Sequence, residues 1–141
     1  MSTVKVDTIQ TTGGVSEIAI DKLKGVAAAS SISVVGEGGT NTTNLQQGIA
    51  KSWVLGTNAA VLTDSFNVSS GSDDGTGDYS YAVSTNFGNA NFSVELTGAE
   101  NNIRIVWNKS RTTSGYAMGI TDNNGTSQDA AHAATVHGDL A

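Results

Sequence analysis

DSFNVSSGSDDGTGDYSYAV, residues 64–83, carries the most regular two-residue alternation in the chain. Phe66 and Val68 alternate with Ser65, Asn67 and Ser69, and Tyr79, Tyr81 and Val83 resume the pattern after an acidic, glycine-rich cluster. Successive side chains of a strand point to opposite faces, so this period sends one set inward and leaves the other to water. The segment reads as a β-hairpin with SGSDDGTGD as its turn.

The same period continues downstream. Phe92, Val94 and Leu96 form an inward set against Asn91, Ser93 and Glu95, and Ile103, Ile105 and Trp107 form another after the GAENN turn. Tyr116, Met118 and Ile120 make a further strand, closed by Asp122-Asn-Asn-Gly125, where Asn-Gly is a strong hairpin signal. Ala134 and Val136 supply a last one. About seven short strands between Gly, Asn and Asp turns predict an all-β fold, an antiparallel, jelly-roll-like β-sandwich over residues 51–141. Its expected core takes Trp53, Phe66, Val68, Tyr79 and Tyr81 together with the inward sets that follow, and is expected to hold its shape by itself. The chain contains no Pro, a residue that blunts strand edges, so the edges are expected to be covered by neighbouring chains.

Upstream the texture changes. Residues 1–50 offer only short strand-like pieces, with Val4, Val6 and Ile9, then Ile18 and Ile20, then a small-residue run at Val26–Ser31. None of these can bury a core alone, so their backbone groups need partner strands. Gly36-Glu-Gly-Gly-Thr-Asn-Thr42 reads as a linker, and the following TTNLQQGIAKSW reads as a single helical turn with Thr43 or Asn44 as N-cap. A boundary falls near residue 50.

Composition excludes several functions. Thirteen acidic residues against seven scattered basic ones give a formal charge of −6, unsuited to neutralising phosphates, so neither a nucleic-acid partner nor an anionic membrane surface is expected. No apolar stretch approaches the ~20 residues that span a bilayer, and the N-terminus lacks a secretory signal pattern, so synthesis as a soluble cytosolic product is expected. The absence of Cys removes disulfides and thiolate chemistry. Asp73 and Asp74 sit in a cluster without the spacing of a calcium loop, and read as turn formers. His132 and His137, the only histidines, make no zinc set without carboxylates. No nucleophile elbow, zinc-protease motif or phosphate-binding loop occurs, so neither enzyme activity nor a cofactor or metal is expected. The exposed-aromatic alternative, a sugar platform built from Trp53, Trp107 and the tyrosines, gives way to core packing on the strand-period argument.

The run TTNLQQGIAKSWV, followed by DSFNVSS and DDGTGDYSY, resembles a recurrent module of bacteriophage tail-fibre-like proteins, especially those of podophages. STVKVDTIQTTGG at the start and HGDLA at the end also resemble that family, whereas VLGTNAAVLT at residues 54–63 departs from its usual Asn- or Gly-containing loop. The resemblance implies a virion protein, commonly a homotrimer, docked on other virion proteins through residues 1–50, with the β-domain facing outwards towards host-surface polysaccharide. Val4, Val6, Ile9, Ile18 and Ile20 are then the candidate docking residues. An alternative with the same residues is a capsid decoration, head fibre or tail adaptor that binds only virion proteins. The single short leader and single module favour a small appendage or decoration over a long receptor-binding fibre.

Overall fold

The computed structural model describes residues 32–36, 39–99 and 102–140. The candidate docking residues Val4, Val6, Ile9, Ile18 and Ile20 lie outside these. In chain order the elements are β1 (Ser33–Val35), β2 (Thr42–Asn44), α1 (Leu45–Gly48), β3 (Ser52–Gly56), β4 (Leu62–Phe66), β5 (Ser70–Gly75), β6 (Asp78–Ala82), β7 (Ser93–Gly98), β8 (Ile105–Thr112), β9 (Gly115–Thr121) and β10 (His132–His137). β1 and β2 pair as a separate two-stranded ladder, and the rest form two four-stranded sheets, β4-β3-β10-β7 and β5-β6-β9-β8. Every neighbouring pair is antiparallel.

Antiparallel sheets can bury one face and solvate the other, and the strands here do so. On β9, Tyr116, Met118 and Ile120 are buried, and on β10 His132, Ala134 and Val136 are buried while the residues between them are half-buried. Apart from His132, these residues form one shared hydrophobic cluster with Val54 of β3 and Tyr79 and Tyr81 of β6, so the two sheets pack through a common core. The fold is therefore all-β with sandwich-like packing. Three links, β3–β4, β5–β6 and β8–β9, are hairpins within one sheet, and the chain changes sheet at each of the other four.

The helical turn appears where the sequence places it. Asn44 caps α1, its Oδ1 accepting from Gln47 N at 2.8 Å, which satisfies one of the N–H groups that a helix start leaves unpaired.

The hairpin expected over residues 64–83 is corrected. Phe66 ends β4, which pairs with β3 (Trp53 opposite Phe66), whereas Tyr79 and Tyr81 belong to β6, whose partner is β5. The cause is Asn67, which adopts a φ of 55° and turns the chain from one sheet to the other. Its side chain fixes the crossing. Nδ2 donates to the carbonyls of Lys51 (2.9 Å) and Thr85 (3.1 Å), and Oδ1 accepts from Thr85 N at 2.7 Å. The segment expected to be turn is in turn mostly strand, since Ser70–Gly75 ladders onto β6 and the chain reverses only at Gly75–Asp78. An edge strand with both faces solvated tolerates Ser, Gly and Asp, because the ladder and not the side chains holds it.

The expected inward phase of β8 is also corrected. Ile105 and Trp107 are 50% and 41% exposed, and Ile103 just before them is 72% exposed. Val106 lies opposite Ile120 and packs on the core, while Trp107 lies opposite Gly119 on the outer face. A one-residue choice of register turns every side chain over, and here the space above a glycine decides it.

Candidate functional site

The buried polar centre is built by β6 and β10. Inward-pointing Tyr79, Tyr81 and His132 are all nearly inaccessible to solvent. Tyr79 stacks on the His132 ring at 4.3 Å, and Tyr81 Oη lies 2.5 Å from His132 Nε2. His132 Nδ1 lies 2.8 Å from Ala130 O, which can only accept, so Nδ1 carries the proton and Nε2 accepts from Tyr81. Burial holds the imidazole below its ordinary pKa and keeps it neutral, against the opposing effect of the Ala130 carbonyl. Burial also raises the Tyr81 phenol. It pushes Tyr79 up to about 12, although Ala130 N donates to its oxygen at 3.1 Å, while Asn58 O accepts from it at 3.1 Å. Gly56 admits this packing, because a Cβ there would stand 2.3 Å from Tyr81 Oη. The trio is closed to solvent, so it specifies how the two sheets meet and cannot reach a substrate.

The remaining motif residues have structural posts around this centre. Trp53 is half-buried and pairs with Phe66, which is 52% exposed, on the outer face of its sheet, contrary to the core role expected for both. Val68 packs against the core from the sheet crossing. Lys51 is buried, and its Nζ donates to the carbonyls of Gln46 and Ile49 (2.9 Å to the latter), tying α1 to the sheets. Burial lowers its ammonium pKa, opposed by the charge of Asp139. His132 and Asn67 are the two key positions that sequence periodicity misses. For Asn67 a signal existed, since Asn is the side chain that best tolerates a left-handed backbone.

The outer surfaces carry several large apolar side chains. Among the described residues Val34, Val35, Ile49, Leu55, Val61, Phe66, Ile103, Ile105 and Trp107 are 41–72% exposed. A second feature lies on the outer face of β6, β9 and β8. β9 presents Gly115, Ala117 and Gly119 there, and a shallow groove of about 250 Å³ runs over Ala82, Gly115 and Ala117 between Ser80, Ser110, Thr112 and Ser114. Farther along the same face Trp107 lies over Gly119, and Lys109 Nζ pairs with Asp78 Oδ2.

Among the described residues no group of three or more His, Asp or Glu side chains is placed to hold a metal ion. Asp73 Oδ1 accepts from Gly75 N (3.2 Å), and Asp74 Oδ1 accepts from Ser72 Oγ (2.7 Å), so both acids serve the local backbone and its neighbour. No helix among the described residues is long and apolar enough to cross a membrane. No protein-family model, no curated protein and no solved structure matches the chain.

Proposed function

We propose that this chain is a structural protein of a bacteriophage virion: a short, trimeric, fibre-like appendage anchored by residues 1–50, with residues 51–141 as its outward β-domain. The observation that carries the reading is the exposed apolar set, from Val34 and Val35 through Phe66 to Ile105 and Trp107. Scattered apolar residues are ordinary on a monomer, but large ones concentrated on a strand such as β8 favour burial against a partner. The runs TTNLQQGIAKSWV, DSFNVSS and DDGTGDYSY, which resemble tail-fibre proteins, support the same reading. A capsid decoration, head fibre or tail adaptor is the second reading. It is favoured by Val34, Val35 and Ile49, whose exposure on the N-terminal side of the sheets suits contact with other virion proteins.

Mass spectrometry and cryo-electron microscopy of purified particles test both readings. Threefold density at the tail supports the fibre, and density on the capsid supports the decoration. Absence of the protein from particles overturns both.

A further inference from the structure

The turn between β9 and β10 carries Asn124-Gly125, the only asparagine in the chain followed by glycine. Asn123, Asn124 and Gly125 are exposed, and nothing lies within 4 Å of the position a Cβ would take on Gly125. No hydrogen bond to another described residue holds the Asn124 side-chain amide. Asn67 and Asn108 differ, since each Nδ2 donates to two backbone carbonyls. The Gly125 N–H donates to Asp122 O at 3.2 Å, the longest of the four hydrogen bonds that hold the turn. In the other three, Asp122 Oδ1 accepts from Asn124 N and Thr126 N at 2.8 and 2.9 Å, and Asp122 N donates to Thr126 O at 2.9 Å. The Asn124 amide is therefore open to attack, and the Gly125 nitrogen beside it is loosely held.

We propose that Asn124 is a site of spontaneous deamidation, with water as co-reactant and aspartate and isoaspartate as products. Gly125 gives its N–H proton to solvent, and the nitrogen attacks Cγ of Asn124. The bond from Cγ to Nδ2 breaks, that nitrogen leaves as ammonia after taking a proton from solvent, and a five-membered cyclic imide remains. Water then opens the imide. Cleavage of the new bond to Cγ gives aspartate, and cleavage of the original peptide bond gives isoaspartate, whose main chain runs through Cγ. Nothing is oxidised or reduced. Glycine favours the first step, because it has no Cβ to crowd the attacking nitrogen and its backbone turns freely into the geometry of attack. Every other asparagine precedes a residue with a side chain, which hinders the same approach.

The products change the turn in two ways. Either one adds a negative charge to a chain already at −6 and sets a second carboxylate near that of Asp122. Isoaspartate also lengthens the main chain by one carbon between the N–H groups of residues 124 and 126, which share Asp122 Oδ1. This turn links a strand of one sheet to a strand of the other, with a bridge between Thr121 and Ser127 at its base. Ageing therefore loosens one corner of the sandwich, whatever the role of the chain in a particle.

The folded full chain is incubated in mildly alkaline buffer beside a synthetic peptide of residues 121–127, and samples are digested with trypsin. Cleavage after Arg111 releases residues 112–141, in which Asn123 and Asn124 are the only asparagines. Tandem mass spectrometry assigns the converted residue, and methyl transfer from S-adenosylmethionine by an isoaspartyl methyltransferase measures the isoaspartate formed. Asn124 should convert faster than every other asparagine, at a rate within about tenfold of the peptide's, the factor set by releasing one exposed hydrogen bond. Gly125→Ala should slow conversion at least about fivefold, and open space at that position lets the methyl fit. Asn124→Gln should abolish the methylated product from residues 112–141, with circular dichroism showing that both variants are folded. Faster conversion at another asparagine, a folded-chain rate more than about tenfold below the peptide's, a smaller slowing in Gly125→Ala, or methylation that survives Asn124→Gln each overturns the proposal.

Discussion

His132 couples the core to pH. Its folded pKa lies below the ordinary 6.5, so between those values the unfolded chain binds a proton that the folded chain refuses. The stability contributed by the neutral, buried ring is complete above 6.5 and is lost as pH falls through the folded value. Thermal unfolding of the wild type and of His132→Gln, compared from pH 8 to pH 4.5, should show a steeper fall for the wild type below about 6.5. Tyr81→Phe leaves Nε2 of His132 buried without its donor, and should cost about 1–3 kcal/mol in urea unfolding at pH 7.5. Asn67 sets a second test. Asn67→Ala removes three hydrogen bonds and keeps a φ that Ala disfavours, for an expected loss of about 3 kcal/mol. Asn67→Gly relieves the backbone alone and should cost roughly 1 kcal/mol less than Asn67→Ala.

Among the elements, the turns differ in how tightly the sheets enclose them. Gly77 has a φ of 68°, and a Cβ there would meet Ile120 O at 2.3 Å, because the β5–β6 turn is pressed under β9 and the segment leading to β10. Gly77 N also donates to Asp129 Oδ1 at 2.7 Å. Gly125 has a φ of 84° with open space around its Cβ position, in a turn held by Asp122 Oδ1, which accepts from Asn124 N and Thr126 N. Gly77→Ala should therefore destabilise by more than about 2 kcal/mol, and Gly125→Ala by about 1 kcal/mol. Equilibrium urea unfolding of the two variants measures the difference. A result in which Gly125→Ala is the costlier change would mean that the enclosure described for Gly77 does not govern its stability.

For the whole molecule, the trimer proposed above has a direct test. Light scattering of the full chain at micromolar concentration should give about three times the 14.3 kDa chain mass, and a well-folded monomer would count against the trimer. Residues 51–141 contain both four-stranded sheets and their core. Expressed alone, they should give β-type circular dichroism and dispersed NMR signals, yet fail to join particles that lack the native protein.

Much of this was legible in the sequence. The strands carrying Tyr79 and Tyr81, Tyr116 to Ile120, and Ala134 and Val136 follow from period-2 alternation, because each has one face in the core and one outside. Asn44 as a cap and Asp122–Gly125 as a turn follow from local hydrogen bonding and backbone preference, which need no distant partner. What alternation leaves open is pairing and phase. Ser70–Gly75 is a strand because β6 offers it a ladder. Phe66 faces outward because β4 pairs with β3 before Asn67 turns the chain to the other sheet, and Trp107 faces outward because Gly119, twelve residues along, leaves room for its ring. Periodicity states that a strand has two faces, and only the opposing strand, brought up by tertiary packing, decides which of them is buried.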